Sequence, residues 1–274
     1  MAGFRSLRNR HVGPPDPDEV LPTKVLPYMR QPLLNWLQST SSDSYDQSDR
    51  WQVLCQMLKV DFTGMRPSDA VIRAINADHD LLLDLIDARL RIGGVGRELE
   101  ELKLALYLGG SGWRINDSND GLEQVVDDTV RAVARAAIDA ANDSAAAHLA
   151  NAWSKTFGKD RNATQAHAEM IRAVESAAIP VVTPNDAKAT LGTIIGQVAA
   201  QGSLYTTSGA SPKNDGVAGV VAMMKTLWQQ QTDRHGANPT AATTQARVEF
   251  LLPLAAALVH AFSSGGVRRT KQSP

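Results

Sequence analysis

The sequence predicts an all-α protein, and three observations carry that expectation. Apolar residues recur at three- and four-residue spacing along most of the chain. From Gly121 to about Ala178 alanine dominates and breakers are few. Only the stretch Trp113 to Gly121 reads as extended, as a short strand and turn. Small residues on the packing faces let helices approach closely, which favours a compact helical bundle.

In chain order, residues 1–30 hold Pro14, Pro15, Pro17, Pro22 and Pro27 and read as an extended, Pro-rich arm. A helical region over 31–110 follows. A short helix opens at Pro32, a Ser/Asp-rich loop spans Ser39 to Ser48, and helical patterns run over Asp49–Val60, Pro67–Asn76, Asp78–Arg91 and Arg97–Leu108. Leu81, Leu82, Leu85, Ile86 and Leu90 share one apolar face, stopped by Gly93-Gly94. Residues 111–265 form the expected bundle. Its first helix carries Leu122, Val125, Val126, Val130, Val133, Ala134, Ala137 and Ile138. Asp143 caps a second, which Gly158 closes, and a third runs from Ala163 to about Ala178, before Ile179-Pro180. A capped helix then reaches Ala200, Gly202 to Asp215 is a polar loop, and a last helix spans Ala241 to Phe262. Residues 266–274 read as a flexible basic tail.

Composition sets limits. The chain has 274 residues, enough for one large or two medium domains. Lys plus Arg number 28 against 29 for Asp plus Glu, so any nucleic-acid surface must be a local patch. One cysteine, Cys55, rules out an internal disulfide and a Cys-rich zinc site, and its helical apolar setting reads as buried filler. The basic N-terminus lacks the apolar stretch of a secretory signal, and no stretch approaches the apolar length of a membrane span, so the cytoplasm is the expected compartment.

The glycine clusters Gly93-Gly94-Val95-Gly96 and Gly109-Gly110-Ser111-Gly112 lack the strand before and the Lys-Ser/Thr after that a phosphate loop needs, and read as helix terminators. The histidines are scattered, with no paired-histidine motif, so neither a metal site nor a cofactor is expected. What remains is Arg/His chemistry. Arg5 with His11, Arg73 with His79, and Arg161 with His167 share one spacing, and His79 and His167 read as structural. His260, among Leu258, Val259 and Phe262, reads as a core or interface residue. The stretch Met224 to Asn238 differs. Met223, Met224, Leu227 and Trp228 form an apolar stripe, Gly236 and Asn238-Pro239 break the helix, and Asp233, Arg234 and His235 sit between. His235 there could act as general base or acid, with Arg234 binding phosphate and Asp233 orienting the imidazole. The alternative is a charged helix end satisfying terminal carbonyls.

Three blocks in order carry a resemblance: Ala168 to Gly192, Leu227 to Gly236 with its His-Gly ending, and Ala246 to Phe262. Together with Gly110 to Ile115 and Asn151 to Gly158, they make residues 105–269 resemble the abortive-infection C-terminal (Abi-C-like) branch of the HEPN superfamily. The resemblance implies a helical bundle acting as a homodimer and an RNA-directed role in phage defence or toxin systems. It places the family histidine at His235, while the arginine expected four to six residues earlier meets Gln229 to Gln231 and Arg234 is adjacent instead. The leading expectation is therefore an RNA-directed effector, as a metal-independent endoribonuclease. The alternative is a non-catalytic dimerising or structural protein, phage or prophage encoded, that touches RNA or a protein partner through Arg268, Arg269 and Lys271.

Overall fold

In a computed structural model of the chain, described over residues 21–41, 47–209, 216–228 and 243–270, the protein is all-α: eleven helices and four short strands among the described residues. The chain divides at Val125/Val126 into two units, each with its own core.

The first unit holds α1 (Pro27–Ser41), α2 (Gln47–Leu58), α3 (Pro67–Ala77), α4 (Leu81–Ile92) and α5 (Glu98–Leu108), then a hairpin of β1 (Trp113–Ile115) and β2 (Leu122–Gln124). The helix expected from Pro32 starts earlier, at Pro27, because proline's fixed φ suits the first helical turn, where its missing N–H has no partner to lose. Gly93, at φ 78°, ends α4 in a conformation that L side chains rarely adopt. Leu33, Leu37, Leu54, Ile75, Leu82, Leu85, Ile86 and Leu102 fill the core, and Cys55 is buried among them. Arg89 is only 1% exposed. Its Nε and Nη2 donate to Thr40 O at 3.1 and 2.8 Å, and its Nη1 donates to Gly93 O at 2.8 Å, so one guanidinium ties the end of α1 to the end of α4.

The hairpin pairs Trp113 with Gln124 and Ile115 with Leu122. Asp87 of α4 accepts from Leu122 N at 2.6 Å and from Arg91 Nε at 2.8 Å, which pins β2 to the first unit. The hairpin thus belongs with the first unit, whereas the sequence predicts a second domain opening at residue 111. Leu122 and Val125, read as the start of a helix, lie in and after β2. The helix begins only where Asp127 can cap it by accepting from Thr129 N.

The second unit holds α6 (Asp128–Ala140), α7 (Asp143–Phe157), α8 (Ala163–Val182), α9 (Leu191–Ala200), β3 (Tyr205–Thr207), α10 (Val217–Trp228), α11 (Gln245–Ser263) and β4 (Val267–Arg269). Helices α7 and α8 form a long hairpin, and α11 packs on both α8 and α6. Its core includes Leu149, Met170, Val174, Ile194, Met224, Leu251, Val259 and Phe262. Three expectations change. Pro180 does not stop α8, because the Thr183 N to Ile179 O bond continues the ladder past the one missing donor. Asn142, not Asp143, caps α7, its side chain accepting from Ala145 N at 2.9 Å. The polar loop after Ala200 and the basic tail are partly ordered as strands, β3 pairing antiparallel with β4 so that Tyr205 meets Arg269 and Thr207 meets Val267. Helix α11 is long and apolar enough to cross a membrane, contrary to the expectation that no stretch approaches that length. Val248, Leu252, Ala255 and Val259 on it are buried in the core of the second unit.

Candidate functional site

The residues first singled out divide between described and undescribed parts of the chain. Asp233, Arg234 and His235, and Lys271 of the tail, lie outside the described residues. Arg268 and Arg269 stand on β4. Arg268 Nη1 donates to Ser208 Oγ and to Gly265 O, both at 3.3 Å. Arg269 donates to Val182 O at 3.0 Å, a carbonyl at the end of α8 that also accepts from Gln197 Nε2 at 2.8 Å, and its guanidinium lies 5.9 Å from the Tyr205 ring centre. Among the described residues no group of histidine, cysteine and carboxylate side chains could hold a metal ion.

The structure does describe both flanks of the segment that carries His235. His167, on the second turn of α8, is buried, and its Nε2 lies 3.0 Å from Leu227 O near the end of α10. A carbonyl can only accept, so Nε2 carries the proton. On the other flank, Gln245 at the start of α11 donates through Nε2 to Thr156 O, on the last turn of α7, at 2.7 Å. Both flanks are therefore anchored at the corner where α7 turns into α8. His167 is structural, as expected. His260, expected in a core or interface, stands exposed on the outer side of α11.

The most chemically capable cluster among the described residues was not singled out by the sequence. Glu169 of α8 has a side chain only 8% exposed. Its Oε2 lies 2.6 Å from His148 Nδ1 on α7, and its Oε1 accepts from Arg172 Nη1, one turn along α8, at 2.8 Å. Helical phase explains the arrangement. Positions 166, 169, 170 and 173 of α8 turn toward the core with α7, so a carboxylate at 169 is drawn inside and needs donors. Arg172, three residues on, sits 58% exposed at the rim. The His148 side chain is 30% exposed.

That arrangement fixes the tautomer. With Nδ1–H donating to the carboxylate, a neutral imidazole keeps its lone pair on Nε2. A carboxylate-oriented imidazole beside an arginine can take a proton from a hydroxyl while a guanidinium faces a nearby anion.

No protein-family model matches the chain, and no curated protein or solved structure matches it either.

Proposed function

We propose that this protein is an RNA-directed effector of the abortive-infection or toxin type, and that it cleaves RNA without a metal. The observation that supports this reading is the Glu169–His148–Arg172 cluster, with Glu169 Oε2 2.6 Å from His148 Nδ1 and Glu169 Oε1 2.8 Å from Arg172 Nη1. RNA suits these groups because its 2′-hydroxyl is a built-in nucleophile next to a phosphodiester. His148 Nε2 takes the 2′-hydroxyl proton, and the 2′-oxygen bonds to phosphorus. The bond to the 5′-oxygen breaks, and that oxygen takes a proton from solvent. Arg172 faces the charge that builds on the phosphoryl oxygens. The resemblance drawn from the sequence points to the same class of substrate, with His235, Arg234 and Asp233 as its own imidazole cluster and a homodimer as the acting form.

The test is incubation of total cellular RNA with substoichiometric protein in EDTA, beside His148→Ala and His235→Ala. The expected result is loss of discrete RNAs and new ends carrying 2′,3′-cyclic phosphate with wild type, and intact RNA with His148→Ala. Cleavage that appears only on adding a divalent metal would overturn the mechanism. Intact RNA in every lane would leave the non-catalytic dimerising protein as the better reading.

A further inference from the structure

Resting on the RNA-directed reading, we propose that the seam between α7 and α8 is a track for single-stranded RNA, with Arg172 and Lys155 as its phosphate contacts and His148 between them. The sequence places two matching stripes there. Ser144, His148, Asn151 and Lys155 recur on α7 at i, i+4, i+7 and i+11, and Gln165, Glu169, Arg172 and Ser176 repeat that spacing on α8. Residues so spaced share one helical face. Because α7 and α8 run antiparallel, the stripes lie alongside each other in opposite directions.

Contacts along the seam fix its register. At one end Ser144 Oγ lies 3.1 Å from Ser176 Oγ, and Asn142 Nδ2 donates to Ser176 O at 3.0 Å. In the middle stand His148 and Glu169 with Arg172. At the other end Asn162 N donates to Lys155 O at 3.0 Å. Eleven helical residues cover about 16 Å, room for several nucleotides.

The chemistry along this line suits one nucleic-acid strand. Its one carboxylate, Glu169, is buried and bonded to His148 and Arg172, so the solvent side presents Arg172 and the Lys155 stem with the amides of Asn151 and Gln165. Cations in single file track one phosphate backbone, and amides and hydroxyls on either side can bond ribose or base edges. A duplex displays two backbones, and a single file of cations meets only one of them.

Binding of a short, fluorescently labelled 2′-O-methyl oligoribonucleotide, which cannot be cleaved through its 2′-oxygen, tests this in anisotropy titrations between about 50 and 200 mM salt. The expected result is that Arg172→Ala and Lys155→Ala each weaken binding and each reduce the log–log salt slope by about 0.7, the value for one phosphate contact on a single strand. Arg172→Lys should restore the slope. Lys225→Ala, on the separate helix α10, should leave it unchanged. His148→Gln should still bind but no longer cleave unmodified RNA. A wild-type slope in both Arg172→Ala and Lys155→Ala would overturn the seam while leaving the RNA-directed reading in place, and preferential binding of duplex would overturn the single-strand assignment. A wild-type protein that neither binds nor cleaves RNA would remove the reading and the seam together.

Discussion

Glu169 shows how much one buried carboxylate can organise. Its two hydrogen-bond partners are not equivalent, because Arg172 is largely solvated while the His148 bond is partly shielded. Removing His148 leaves a buried acceptor short of a donor, so His148→Ala should cost about 1–3 kcal/mol of stability, whereas Arg172→Ala should cost less than about 1 kcal/mol. Urea unfolding of both variants checks the order, and an equal or reversed ranking would mean that Arg172 carries the carboxylate. In RNA cleavage, His148→Ala should lower the rate by about 10²–10⁴-fold, the usual contribution of general acid–base catalysis. The cluster was barely legible in the sequence. His148 and Glu169 lie 21 residues apart on different helices, so no local spacing marks them. The available signal was the phase of Glu169, which falls among inward-facing Ala166, Met170 and Ala173. The reading of Cys55 as filler fares better: it is fully buried, and burial pushes its thiol above the usual cysteine range. A thiol reagent should therefore label Cys55 only as the first unit unfolds, and rapid labelling of the native protein would contradict that.

Among the elements, the caps decide where helices begin. Asn142→Ala should destabilise the second unit by about 1 kcal/mol, measured as a shift in its urea midpoint, because Ala145 N loses its acceptor. Asp127 adds a pH dependence. Hydrogen bonds from the Thr129 side chain and backbone hold its carboxyl below the usual range. A depressed carboxylate contributes its full stability above its unfolded pKa, near about 4, and loses it as pH falls through the lower folded value. Asp127→Asn keeps a capping oxygen without the charge, so the gap between wild-type and variant urea midpoints should shrink as pH drops below about 4. A gap that does not change with pH would mean that the charge plays no part. Helix existence was legible throughout because apolar periodicity survives in a single sequence. The ends were less so: Pro180 reads as a stop, yet near a C-terminus one absent donor is tolerated. Strands β3 and β4 left no trace, since three residues are too few to show an alternation.

Across the whole molecule, each core is drawn from one side of the Val125/Val126 boundary. A fragment spanning residues 126–274 should therefore fold alone, with helical circular dichroism and a cooperative thermal transition; a fragment that melts without cooperativity would show that its core needs more than its own residues. The sequence pointed to two regions, but it could not assign the hairpin, because the contact that decides it, from Asp87 to Leu122 N, spans 35 residues. The ribbon of β3 and β4 has a consequence for synthesis. Thr206 pairs with Arg268 only after α10 and α11 have been made, and the same strand delivers Arg269 to the C-terminal end of α8. A nascent chain on the ribosome can already hold the α7–α8 hairpin and its His148–Glu169 bond. The carbonyl of Val182, which also accepts from Gln197 Nε2 of α9 at 2.8 Å, gains Arg269 as its last-made donor, so the ribbon of β3 and β4 should be the final part of the second unit to close during synthesis.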